Sequence, residues 1–399
     1  MTRLAILLAA PHRMPFLAGS IGLGGLACWW LVQLLALEHG GPALPQGDLP
    51  PALLHGPTMQ YSGLAPFIFG FLLTVFPRWI GLPDLAARRY APVGMTLLAG
   101  VVAIQIGLWG GFGRWVLAGF AALLGGWAIA LAVLAAVLRQ GAIAARPRCW
   151  HAWSAWTALL LGLGGLSAAL AFLWMGDAQL LRFANRIGIG GLLLPIFLTV
   201  AHRMVPFFAA NVVQGYVRWR PDWLLALLWG LLVARLGAEL VLLEWLRIAA
   251  NGGLAAATAL MCWKWWPRAR APGLLNVLIW GFAWAPVAFT LSVIDAVVLP
   301  IGRGPDHALL IGFSGSLLIA MVTRVTQGHS GRPLAMSPLA WIAFAGMQLA
   351  AITRIMAAIM LEDGPWLIVA ASVFAAGMLP WAIRNCAIYL APRRDGKPG

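Results

Sequence analysis

Twelve runs of roughly 20 apolar residues, separated by short basic stretches, constrain this chain more than any other feature of it. A run of that length lets an α-helix cross the hydrocarbon core of a bilayer. Inside that core every backbone N–H and C=O must be satisfied within the helix itself. The runs are centred on residues 14–37, 62–81, 92–112, 115–138, 153–175, 186–209, 222–243, 247–266, 272–299, 306–326, 337–360 and 365–390. They predict an all-α polytopic membrane protein, with residues 1–399 forming a single transmembrane domain. With 62% hydrophobic and only 10% charged residues, the composition lies outside soluble usage.

Charge placement fixes the expected orientation. If the N-terminus is cytoplasmic, 20 of the 27 Lys and Arg fall at cytoplasmic helix ends, from Arg3 and Arg13 to Arg393, Arg394 and Lys397. Five fall outside (Arg114, Arg182, Arg186, Arg247, Arg303), and Arg235 and Arg354 lie within spans. The alternation predicts both termini inside and reads the formal charge of +15 as topology, not as a nucleic-acid surface. The first outer loop, Glu38 to Gln60, has no Lys or Arg and is expected to fold over the outer mouth of the bundle.

Spans 2, 6 and 10 echo one another. They end FLLTVFPR, IFLTVAHR and LLIAMVTR, closing on Arg78, Arg203 and Arg324, which are 125 and 121 residues apart. The spacing hints at three four-helix repeats, over 1–140, 141–270 and 271–399.

The seven histidines sort by side. His39, His55 and His307 lie towards the outer face, and His12, His151, His202 and His329 towards the inner one. Imidazole suits haem iron and copper. His55 precedes span 2, His307 opens span 10, and Met59 and Tyr61 stand close enough to His55 to be secondary ligands. His202 sits within an apolar run, where an ionisable residue faces the protein interior. With His12 or His329, which is expected just past the end of span 10, it would form an inner site. Arginine beside imidazole disfavours a second proton and keeps the ring neutral for a metal. Arg203 and Arg324 are candidates to hold haem propionates or another anion. The bland alternative is interfacial hydrogen bonding by the histidines and snorkelling by the arginines. Arg235 and Glu239, spaced i, i+4, are expected to pair, and Asp295 to reach solvent near the outer face. The isolated cysteines (Cys28, Cys149, Cys262, Cys386) argue against a redox dithiol and against covalently attached haem. No P-loop, dinucleotide fingerprint or H-E-x-x-H occurs.

IFLTVAHRMVPFF (Ile196–Phe208) and HALLIGFSGSLLIAMVTRVTQGHSGRPL (His307–Leu334) resemble the two signature stretches of the NnrS family. GFLLTVFPRWIG (Gly70–Gly81) and the N-terminal HRMPFLAG (His12–Gly19) agree. The resemblance implies a bacterial inner-membrane protein associated with haem b and copper, acting in denitrification or in relief of nitric oxide stress. His202, His307 and His329 match the family pattern and are carried over as candidate ligands. Many members read H-A-H-E-M ahead of span 2. Here the stretch is HGPTM, with Pro57 and Thr58 in place of the second histidine and the glutamate, which puts a copper site there in question. A looser resemblance is to the haem–copper oxidase catalytic subunit, which has three four-helix arcs and ligands on helices 2, 6 and 10. It licenses no activity by itself.

The expectation is therefore an integral membrane haem/copper-associated protein of nitric oxide metabolism or nitrosative-stress tolerance. Its histidine-ligated sites would lie among spans 2, 6 and 10, at His55 and His307 outside and at His202 with His12 or His329 inside. The competing class is a membrane transporter or metal-handling protein without bound haem, which Pro- and Gly-interrupted spans suit equally well. A third reading is a structural or sensory partner of another membrane complex.

Overall fold

The computed structural model describes residues 3–40, 44, 45, 47, 49–360 and 364–396. Lys397 of the basic tail and residues 41–43, 46 and 48 of the first loop lie outside the described residues. Helix and no strand is found among the described residues. The long helices are α1 (Arg13–His39), α2 (Pro51–Ile80), α3 (Ala87–Gly110), α4 (Gly113–Ile143), α5 (Trp150–Met175), α6 (Ala178–Val212), α7 (Asp222–Val241), α8 (Glu244–Trp265), α9 (Gly273–Val297), α10 (Gly304–His329), α11 (Pro338–Ile359) and α12 (Gly364–Tyr389).

Eleven of these are long and apolar enough to cross a membrane. The remaining one, α8, has the length, but Asn251, Gly252, Gly253 and Lys264 dilute its apolar character. A contact across the chain ties the first long helix to the last. Arg13, opening α1, donates from Nη1 to the carbonyls of Tyr389 and Ala391 at the close of α12. The start of the first helix and the end of the last therefore share one end of the first unit.

The chain packs as two compact units. One comprises Met1–Gly188, Val325–Pro333 and Met378–Gly399; the other comprises Ile189–Arg324 and Leu334–Gly377. In the first unit, α3 and α4 form a tight antiparallel pair. A Cβ on Gly119 would meet the Gly100 carbonyl at 2.7 Å and the Ile104 amide at 2.9 Å, so glycine is what lets these backbones approach. In the second, Gly346 and Gly377 bring α11 against α12 in the same way.

Three helices depart from the expected pattern, and the departure has one form. α2, α6 and α10 are the most enclosed, with 83%, 78% and 78% of their apolar cores buried, against 39–50% for the other spans. Each is interrupted by a π-helical segment: Thr58–Leu64 in α2, Ile187–Leu193 in α6 and Ala308–Gly315 in α10. Pro66 and Pro195 follow the first two segments. A proline has no N–H to return to the carbonyl four residues back, and a wider turn is one way the ladder adjusts. Gly22 on α1 lets that helix approach the first π segment, since a Cβ there would meet the Ser62 carbonyl at 2.5 Å.

Three boundaries correct the sequence reading. Helix α2 begins at Pro51, not near residue 62, so His55 lies inside it and the outer loop is shorter. Proline tolerates the first helical turn, where an N–H would have no partner, and the widened π turn carries the helix past Pro57. Helix α10 runs through Gly328 to His329 and turns only at Gly331, whose φ is +66°. Similarly α6 starts early, because the Asp177 side chain caps it by accepting from the Gln179 amide at 2.7 Å.

Candidate metal centre and its surroundings

The end of the first unit that carries both termini brings two histidines together. His12, just ahead of α1, and His329, in the last turn of α10, have ring centroids 4.7 Å apart with planes tilted by 50°. The C-terminal segment holds this corner in place. Arg393 donates from Nη1 to the His329 carbonyl at 3.2 Å, and the Arg394 amide donates to the Ser330 carbonyl at 3.1 Å. Gly331 leaves room for Asp395, which its Cβ would otherwise meet at 2.7 Å.

His12 is 2% exposed, packs edge-on against Phe16, and its Nδ1 has no hydrogen-bond partner. Burial first, then the His329 imidazole and the Arg13 guanidinium, pull its pKa well below the ordinary histidine value. The ring is neutral at neutral pH and its lone pair is available to a ligand. The sign follows for the metal-free protein. Below about pH 6.5 the unfolded histidine takes up a proton that the folded one refuses, so stability is full above that pH and falls as pH drops below it. Thermal unfolding midpoints measured from pH 8 down to pH 5 should show this decline, and His12→Gln should lessen it, the neighbouring His329, also depressed, keeping part.

The two rings lie close enough to be tested as ligands of one metal ion. With a metal–nitrogen bond of about 2 Å, two imidazoles meeting at a corner of one ion have centroids about 5 Å apart, close to the observed spacing. Among the described residues, no group of three or more His, Cys, Asp and Glu side chains could hold a metal ion. Two imidazoles alone leave a four-coordinate structural zinc incomplete, and imidazole suits copper as well as zinc.

The other sequence candidates lie elsewhere. At the opposite end of the first unit, His55 stacks on Trp30, centroids 4.2 Å apart and planes at 25°. Near it Tyr61 donates to the Ala184 carbonyl at 2.8 Å, which occupies the hydroxyl proposed as a secondary ligand. Gln60, in the π segment, donates to Asn185 Oδ1 at 3.1 Å, while its own Oε1 has no donor. Neither Gln60 nor Asn185 was singled out from sequence; their proximity depends on α2 starting at Pro51 and α6 at Ala178.

In the second unit His307 bonds through Nδ1 to the Arg303 carbonyl at 2.8 Å. Donation to a carbonyl fixes the tautomer and makes Nε2 the nitrogen free to bind a metal. His202 is fully buried, its ring 6.4 Å from that of Trp265. It belongs to the other unit from the His12–His329 corner. Arg324 lies with its guanidinium 3.8 Å over the Phe208 ring. Asp295, half-buried, accepts from the Ile301 and Gly302 amides at 2.6 and 2.9 Å and so closes the turn after α9. Arg235 and Glu239 pair as expected, at 2.9 Å.

Helix-end histidines, and π interruptions confined to the most enclosed spans, define the class: a polytopic α-helical membrane protein with ligand-type side chains at the ends of its buried helices. Residues 6–393, nearly the whole chain, match the family model described as NnrS protein, and the chain belongs to the NnrS family. None of the curated proteins compared with it matches.

Proposed function

We propose that this protein is a metal-carrying membrane protein of nitric oxide metabolism or nitrosative-stress tolerance, in the bacterial inner membrane with both termini cytoplasmic, and that His12 and His329 hold copper. The observation that carries the copper assignment is the paired, neutral imidazoles at 4.7 Å, one with an unpartnered buried nitrogen. His307, with its tautomer set by Arg303, and His202 and His55 are the candidate ligands for haem b, with Arg203 and Arg324 as anion holders for its propionates. When bound, such metals supply one-electron exchange and a binding position for nitric oxide. The chain's own part is to hold the imidazoles neutral, keep water from His12 and fix the orientation of His307. The π segments support the same reading, because such segments inside α-helices are frequent at functional sites.

The test is an optical spectrum of the detergent-purified protein, oxidised and reduced, with copper quantified on the same sample. The reading predicts bound copper, and a Soret band that shifts on reduction and on addition of nitric oxide. A colourless, copper-free protein, prepared with ample haem and copper and followed by unchanged nitric oxide sensitivity in His12→Ala and His307→Ala cells, overturns it in favour of the transporter class.

A further inference from the structure

Where α1 ends and α2 begins, the first unit holds a cavity separate from the His12–His329 corner. Its volume is about 160 Å³. Trp29 and Gln33 reach it from α1, Leu54 from α2, Leu108 from α3, Arg114 from α4 and Pro45 from the first outer loop. All of them belong to the first unit. Close backbone contacts set the loop against the turn between α3 and α4. A Cβ on Gly111, whose φ is +69°, would meet the Pro45 carbonyl oxygen at 2.6 Å, and one on Gly47 would meet the Gly111 carbonyl oxygen at 3.3 Å. Trp29 is 1% exposed and donates from Nε1 to the Leu108 carbonyl at 3.2 Å, which fixes its indole as a wall.

Gln33 is the wall that packing does not explain. It stands one turn beyond Trp29 on the same face of α1. It is 9% exposed, yet its side-chain amide makes no hydrogen bond to any described residue. A buried amide costs free energy unless something completes its hydrogen bonds. Leucine has nearly the same volume and no polar atom, so it would serve a purely structural wall better. Of the described lining residues only Arg114 is charged, and it is exposed, so nothing inside the cavity selects for a charged ligand.

We propose that this cavity binds a neutral ring bearing a carbonyl, supplied by the headgroup of a membrane quinone or by a soluble aromatic compound. An apolar cavity of about 150 Å³ takes one benzene ring, so the volume suits a single ring. Trp29, Pro45, Leu54 and Leu108 offer the ring apolar walls, and the Gln33 amide donates to the carbonyl oxygen. Water alone would complete Gln33 but leave the apolar walls wet. An acyl chain would cover the walls but leave the amide unpaired. A carbonyl-bearing ring answers both.

The full-length protein is purified in detergent without added haem or copper, so the result is separate from that of the metal reading. Three probes are titrated by calorimetry: a fully substituted benzoquinone with a single isoprene unit, benzamide, and toluene. The quinone or benzamide should bind, and toluene, which has the ring without the carbonyl, should bind at least about tenfold more weakly. Gln33→Leu should weaken the carbonyl probe at least about tenfold and leave toluene unweakened. Without ligand its unfolding midpoint should be no lower than that of the unaltered protein, because the change removes a buried amide that has no partner; this separates binding from misfolding. Leu54→Trp, which fills the cavity, should abolish binding of every probe. Binding of the quinone alone identifies the membrane-borne headgroup, and equal binding of benzamide identifies the soluble ring. Absence of binding by both carbonyl probes, toluene binding as tightly as either, or unchanged carbonyl-probe affinity in Gln33→Leu overturns the proposal.

Discussion

Copper bound by the purified protein should fall to background in His12→Ala and again in His329→Ala, while His39→Ala leaves it unchanged. The reasoning is that a corner of two imidazoles has no protein ligand in reserve, since no third His, Cys, Asp or Glu groups with them among the described residues. Loss of residues that merely orient a ligand already costs 10–100-fold in metal affinity, so loss of one ligand of two should cost more than about a hundredfold. His39 ends α1 and is exposed, which makes it a control for nonspecific copper uptake by imidazole. His12→Ala also opens a space beside Phe16. The affinity loss should therefore be compared with His12→Gln, which keeps most of the volume and removes the ligand. Equal copper in all four variants would mean that the two rings meet only as packing partners.

Arg235→Ala should be the most destabilising single change outside that corner, at about 3–5 kcal/mol. Arg235 is 4% exposed and anchors a polar island in the second unit. It donates from Nε to Asn251 Oδ1 at 3.0 Å, pairs through Nη2 with Glu239 at 2.9 Å and lies 3.9 Å from Asp306. Alanine leaves the Glu239 carboxylate, whose side chain is only 16% exposed, without its guanidinium. Most of the cost is the loss of its nearest partner by a half-buried carboxylate, not the net worth of the pair. Arg235→Met with Glu239→Gln should accordingly recover much of the loss, because it removes both charges and keeps the volume. Denaturant unfolding in detergent of the single and double variants measures this. Equal midpoints for Arg235→Ala and the unaltered protein would show that Glu239 finds water in the folded state. Asp306 precedes His307, so the same variant also tests whether the island supports that ligand's position.

Much of the fold was legible because the quantity that decides it is local. Transfer of a 20-residue helix into hydrocarbon is close to a sum over its residues, so a window of sequence finds the spans. The sequence reading also counted α8 as an apolar span, whereas eleven helices, α8 not among them, are apolar enough to cross a membrane. The spacing of IFLTVAHR and its two counterparts marked α2, α6 and α10, and these are the helices with π segments and the deepest burial. The start of α2 was misplaced because Pro50, Pro51 and Pro57 read as loop, whereas prolines at a helix start and beside a π turn are compatible with helix.

By itself, then, the sequence determined the membrane class, the spans, the family resemblance and the placing of histidine and arginine at helix ends. It did so through local hydropathy, charge alternation and motif spacing. Only the tertiary structure decided which ends meet. His12 and His329 are joined by a contact that depends on how α1 and α10 pack and on the C-terminal segment folding over the turn at Gly331. Whether an imidazole or a guanidinium faces water or a neighbour is set by helix rotation and by residues hundreds of positions away. No window along the chain samples either of these.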